Sequence, residues 1–149
     1  MHEKILVSLD GSDLSEQILP YAVEQAKRFR SRVVLIRVVT DLPIYSSPGD
    51  PKVVVEQLDR IPRAKREAES YLYSVAKPFW DAGLEAECVA LQGSPEETIV
   101  RYAEENGVNL IMLATHGAGG LGRALVGSVA DHVLRHSRIP VLAIKPHHD

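Results

Sequence analysis

Two short stretches concentrate the residues able to hold a polar ligand. Ser8-Leu9-Asp10-Gly11-Ser12 closes an apolar run with a carboxylate and hydroxyls, and Ala114-Thr115-His116-Gly117-Ala118-Gly119-Gly120-Leu121-Gly122 holds four of the chain's 10 glycines. Gly127-Ser128 follows shortly after. Small residues just before a helix let backbone come close to a ligand, and amides exposed there can cradle phosphate oxygens. A carboxylate such as Asp10 can accept hydrogen bonds from sugar hydroxyls, or it can cap its own turn. His116 either touches a phosphate or organises the loop, and Arg123 either pairs with phosphate or is a solvated surface arginine. Gly127 falls at or just inside a helix start, where glycine costs roughly 1 kcal/mol relative to alanine, so something must approach closely there, ligand or packed backbone.

Other chemistries lack their residues. No Gly-Lys-Ser/Thr follows the first strand, so there is no P-loop, and the same turn lacks the three glycines of a dinucleotide fingerprint. His132 and His136 have the i, i+4 spacing of helical metal ligands, but Val133 stands where a metalloprotease carries its glutamate, and a surface pair is the reading adopted. His147-His148 reads as a frayed tail and Cys88 as a small core residue. No set pairs a nucleophile with a base, so no catalytic residues and no metal ligands are assigned, and binding with at most slow hydrolysis is expected.

These stretches need elements to carry them. Lys4–Leu9, Arg32–Val39, Leu84–Leu91, Val108–Ala114 and Ile139–Ile144 are strand-length apolar runs, most of them rich in β-branched residues. The second, fourth and fifth are apolar almost throughout, as in strands of a parallel sheet covered on both faces. A first helix is capped by Ser12 or Asp13, with capping-box spacing in Asp13-Leu14-Ser15-Glu16, and runs past Pro20 to Ala26. A long helix spans about 62–82, bent or shortened by Pro78. Another starts at Ser94-Pro95, with Glu97 reaching back, and stops near Asn106-Gly107. The last covers about 124–136, with Leu125, Val129, Val133 and Leu134 inward. The stretch 41–61 reads as a lid or binding loop, or as a surface excursion with a short helix over 53–58. The order βαβ-α-βαβαβ predicts a doubly wound parallel α/β sheet with helices on both faces, where ligands bind outside the carboxyl ends of the strands.

Composition is consistent with that. The 149 residues fit a single domain over 1–149, and 45% apolar with 25% charged residues is ordinary for a globular chain. Seventeen basic against 20 acidic residues leave a net charge of −3, against the basic face a nucleic-acid binder needs. One cysteine excludes an internal disulfide and a multi-thiolate zinc site. No run approaches the roughly 20 apolar residues of a membrane span, and the opening lacks a signal-peptide core. A cytoplasmic protein with small-molecule or protein partners, without membrane or nucleic acid, is expected.

Ala114-Thr115-His116-Gly117, nine further residues, then Gly127-Ser128-Val129-Ala130-Asp131-His132-Val133-Leu134 and Ile139-Pro140-Val141-Leu142-Ala143-Ile144 closely resemble the signature of the universal stress protein family. Lys4 to Ser12 looks like that family's first strand and turn. The resemblance spans almost the whole chain and is weakest over 41–70. It implies a five-stranded, Rossmann-like parallel sheet of order 3-2-1-4-5, ATP binding with magnesium accompanying the nucleotide, and a homodimer through the edge strand Ile139–Ile144. Carried over by position, it places Asp10, with Ser8 beside it on the same strand end, near the ribose and Val38 at the adenine edge. Gly117, Gly127, Ser128 and the Val129 amide then surround the triphosphate, with Ala114 and His116 counted among the nucleotide-binding residues. ATP-binding members carry Gly-two-residues-Gly-nine-residues-Gly-Ser/Thr, and Ala114 replaces the first glycine. Its methyl either crowds the ribose or is accommodated by extended backbone.

Two rival readings differ in class. One is a dimeric interaction module of the same fold that has lost ATP, with Ala114 as its support. The other is a phosphoacceptor, receiver-like domain using Asp10, Asp41, Thr115 and Lys145. Against it, Asp41 follows only one helix, and the glycine cluster would have no purpose.

Overall fold

The computed structural model describes residues 3–40, 51–117 and 126–147, without the side chains of 51–58. In chain order the elements are β1 (Lys4–Ser8), α1 (Asp13–Glu16), α2 (Leu19–Phe29), β2 (Arg32–Val39), α3 (Pro51–Asp81), β3 (Ala86–Gln92), α4 (Pro95–Glu105), β4 (Leu110–Ala114), α5 (Ser128–His136) and β5 (Val141–Ile144). The strands form one five-stranded parallel sheet of order β3-β2-β1-β4-β5, as expected.

Alternation along the inner strands explains their continuous apolar character. Ile5, Val7, Val33, Leu35, Leu110 and Met112 face one core with Ile18, Ala22 and Ala26 of α2's side and Leu72, Ala76 and Phe79 of α3. Leu6, Ile36, Ile111 and Leu113 face a second core with Ile99 and Ala103 of α4 and Ala130 and Val133 of α5. Both strand faces are therefore dry, and a polar residue has no solvated side to occupy. The fifth strand is the exception: all four of its residues are only half-buried, because it pairs with β4 alone and forms an edge.

Several helix boundaries are corrected. The expected first helix is two: α1 is a single turn capped by Ser12, whose Oγ accepts from the Ser15 amide at 3.2 Å, and α2 restarts at Leu19. Pro20 explains the break, since it sits within the first two positions of α2, where its missing N–H costs nothing. The long helix starts at Pro51 and not at Pro62, because Pro51 supplies the same first-turn signal earlier. Pro62 and Pro78 both lie inside it. An interior proline costs about 3 kcal/mol; around Pro78 the wholly buried Leu72, Ala76 and Phe79 offset this by apolar burial. The expected loop at 41–61 thus gives way to helix from 51, and its remainder, with Asp41, lies outside the described residues. In α4, Glu97 does not reach back; Ser94 Oγ instead donates to Glu96 at 2.7 Å. That bond is the main cause holding the Glu96 carboxyl below its ordinary value. The last helix begins at Ser128, with Gly127 as its extended cap, so its start is later than expected; Ala124 and Leu125 lie outside the described residues. Leu134 is 47% exposed and does not face inward as expected.

The carboxyl end is held at His147, where a frayed tail was expected. Its amide donates to Gln17 Oε1 at 3.1 Å and its carbonyl accepts from Gln17 Nε2 at 2.8 Å. Among the described residues no helix is long and apolar enough to cross a membrane.

Candidate functional site

The carboxyl ends of β1 and β4 meet at the point where strand order reverses, and a cavity of about 740 Å³ opens there. It is built upward from the turn after β1. Asp10 Oδ1 accepts from the Ser12 amide at 2.9 Å and from Ser12 Oγ at 2.6 Å, which closes an Asx turn. Ser15 locks this turn from behind: its Oγ donates to the Ser12 carbonyl at 2.9 Å and accepts from the Asp10 amide at 3.3 Å. The turn-capping role of Asp10 is thus real. It occupies Oδ1, while Oδ2 lies against Gly117, where any added Cβ would collide with it.

The second wall comes from the end of β4. Gly127 donates its amide to the Thr115 carbonyl at 2.6 Å, and a Cβ there would stand 2.7 Å from that oxygen. The glycine is required by close approach of two backbones, one of the two alternatives its position left open. That approach docks the amino end of α5 onto the β4 tip. Among the described residues no side chain caps this helix, and its first turn, Ser128 to Ala130, borders the cavity with the Ser128 hydroxyl and the backbone amides that a helix start leaves without intrahelical partners. His116 is 6% exposed, and its Nδ1 lies 2.9 Å from Thr115 Oγ1.

All nine residues singled out from sequence, Ser8, Asp10, Val38, Ala114, His116, Gly117, Gly127, Ser128 and Val129, line this one cavity. Val38 is half-buried against the second core beside Leu91. Arg123 lies outside the described residues. The structure adds lining residues that sequence reasoning missed. Ala64, Glu67 and Ala68 come from α3, where helical spacing reads as core contact only. Arg37 comes from β2; a charge inside an otherwise apolar strand was the available signal. Its guanidinium carbon lies 5.0 Å from the Tyr71 ring centroid. Tyr71 itself is held above its ordinary pKa, chiefly by burial and next by the Glu16 carboxylate beside it.

Away from the cavity, the His132 and His136 rings pack with centroids 4.3 Å apart, and no group of three or more potential ligands could hold a metal among the described residues. Cys88 is half-buried against the first core, and burial pushes its thiol up.

Comparison with known proteins agrees with this geometry. The model of the universal stress protein family matches residues 1–145. The chain is 34% identical over 147 residues to universal stress protein MJ0531 of Methanocaldococcus jannaschii, covering 97% of this chain and 83% of that protein. Among solved structures, MJ0577 of the same organism superposes with a TM-score of 0.84 at 28% identity, covering 100% of this chain and 99% of the other. A universal stress protein from Archaeoglobus fulgidus, solved in complex with dAMP, shares the fold with a TM-score of 0.64 at 22% identity, covering 97% and 100% of the two chains.

Proposed function

Because the chain belongs to the universal stress protein family, we propose that its cavity binds an adenine nucleotide, ATP with magnesium in the first instance, and that the protein works as a nucleotide-responsive homodimer. One observation supports the nucleotide reading: a carboxylate for a sugar, an apolar strand edge for a base and an amide-rich helix start for phosphates all line one cavity. Asp10 takes the ribose, Val38 the adenine edge, and Gly117, Gly127, Ser128 and the Val129 amide the phosphates. The helix dipole favours the anionic end where the phosphates lie. Magnesium would be held mostly by phosphate oxygens and water, which needs no dedicated protein cage. Binding is favoured over turnover, since Asp10 Oδ1 and His116 Nδ1 are already engaged by Ser12 and Thr115. The fold-mate solved with dAMP supports an adenine ligand for this fold.

Thermal melts with ATP and magnesium test this directly. A ligand at 100 times its Kd stabilises by about 2.7 kcal/mol, a rise in Tm of about 5–10 °C for a domain of this size. An unchanged Tm at millimolar ATP would favour the ATP-free interaction module.

Ala114 marks the one departure from the ATP-binding pattern. It is the last residue of β4, 8% exposed and paired in extended conformation with Ile144. Extended backbone accommodates the methyl, so Ala114→Gly is expected to leave ATP affinity within about twofold and to cost about 0.5–1 kcal/mol of stability through added backbone freedom. Titration calorimetry decides it: a tenfold gain in affinity would show that the methyl crowds the ribose.

A further inference from the structure

The geometry points to Arg37 as a second anion-recognition group of the cavity, reading a phosphate carried on the 2′- or 3′-hydroxyl of the ribose. The assignment rests on the adenine-nucleotide reading above and adds to it the class of nucleotide preferred.

Arg37 is a placed side chain and not a loose surface charge. Its guanidinium is half-enclosed between the Tyr71 ring, 5.0 Å from its carbon to the centroid, and the backbone of Gly11. A Cβ at Gly11 would stand 2.9 Å from the guanidinium carbon, and φ there is +87°, so glycine serves both the turn and the arginine. The contact with the Tyr71 ring is a cation–π one and consumes none of the guanidinium N–H donors, whose fork is the edge that meets phosphate with two parallel bonds. None of the ion pairs among the described residues involves Arg37. A placed cation with no hydrogen bond or ion pair to another described residue therefore lines a ligand-sized cavity.

Its position relative to Asp10 names the ligand. Asp10 has Gly117 on one side, against Oδ2, and Gly11 with the overlying guanidinium immediately after it in the chain. A ribose held by Asp10 sends its 5′ chain toward Gly117, Gly127 and Ser128. The edge bearing its 2′- and 3′-hydroxyls meets Asp10 and, next to it, Arg37. An adenine nucleotide phosphorylated at both ends of the sugar would engage both anion sites at once, while ATP leaves Arg37 without a partner.

Titration calorimetry with AMP, adenosine 2′,5′-bisphosphate and adenosine 3′,5′-bisphosphate tests this. One bisphosphate is expected to bind at least about tenfold tighter than AMP, the size of one charge-assisted hydrogen bond, and the tighter of the two identifies the hydroxyl read. In Arg37→Gln the ratio of bisphosphate to AMP affinity should fall to about one. Should that variant fail to fold, Arg37→Lys keeps the charge without the fork and should retain only part of the gain; a full gain in either variant overturns the assignment. Two bisphosphates no tighter than AMP, with AMP itself bound, would overturn it and leave the nucleotide site standing. No binding of ATP, AMP or either bisphosphate would remove both.

Discussion

Gly127→Val is expected to lower Tm by roughly 5–15 °C and to abolish the rise produced by ATP. A Cβ at this position would stand 2.7 Å from the Thr115 carbonyl oxygen, a backbone atom that cannot swing aside. The tip of β4 and the start of α5 must therefore separate, which breaks the 2.6 Å bond from the Gly127 amide to that carbonyl. Overpacking of this kind costs about 1–3 kcal/mol, and the lost hydrogen bond about 1 kcal/mol more; at 2–4 °C for each kcal/mol in a chain of this length, the shift follows. The second arm is functional. Ser128 and the Val129 amide move with the helix start, so the phosphate cradle opens even where the rest of the fold survives. Calorimetric melts with and without ATP separate the two effects. A variant that melts early yet keeps the full nucleotide-induced rise would show that Gly127 serves packing alone.

Ala143→Pro is expected to convert the proposed homodimer into a folded monomer at micromolar concentration. Along β5 the Pro140 and Ile144 carbonyls accept from Ile111 and Thr115 of β4, so even-numbered positions bond inward and Val141 and Ala143 turn their amides outward. The run Val141-Leu142-Ala143-Ile144 carries no charge, and all four residues are half-buried in the single chain. Such an edge invites pairing, and the closed solution is the same strand of a second copy about a two-fold axis. Proline at 143 removes one outward donor per copy without touching the ladder to β4, a position where an edge strand tolerates it. Leu142→Pro would instead cut that ladder. Losing two intersubunit bonds at about 0.5–1.5 kcal/mol each weakens the dimer by about one to two orders of magnitude. Sedimentation velocity reads the change, with circular dichroism confirming the fold. A monomeric wild type would overturn the dimer and leave the nucleotide site untouched.

How far the sequence alone reaches depends on what each residue answers to. Arg32–Val39 is legible to the residue because both faces are dry and its apolar run ends where burial ends. The edge strand is shorter than its apolar run: it starts at Val141, although the Pro140 carbonyl already accepts from the Ile111 amide. The start of α3 was hidden because Pro51 and Pro62 give the same local signal, and only tertiary packing chooses between them. At the site, the turn after β1 and the glycines Gly117 and Gly127 were legible because close approach of Asp10 Oδ2 and of the Thr115 carbonyl leaves no room for a side chain there. Arg37 was not, since its neighbours Tyr71 and Gly11 lie 34 and 26 residues away along the chain and nothing local joins them.

The central place of β1 also bears on how this chain reaches its native state. It is the first strand made, yet one of its two neighbours is β4, with Ile5 opposite Leu110 and the Lys4 amide bonded to Asn109 Oδ1 across 105 positions. Until residue 114 has left the ribosome, the central strand keeps one ladder side open, and Leu6 lacks the α4 and α5 residues that later bury it. Closure of so long a loop must precede the contacts that reward it, so the β1–β4 ladder is entropically costlier to form than the β1–β2 ladder. The nascent amino-terminal half is consequently the interval of greatest exposure to misassociation during synthesis.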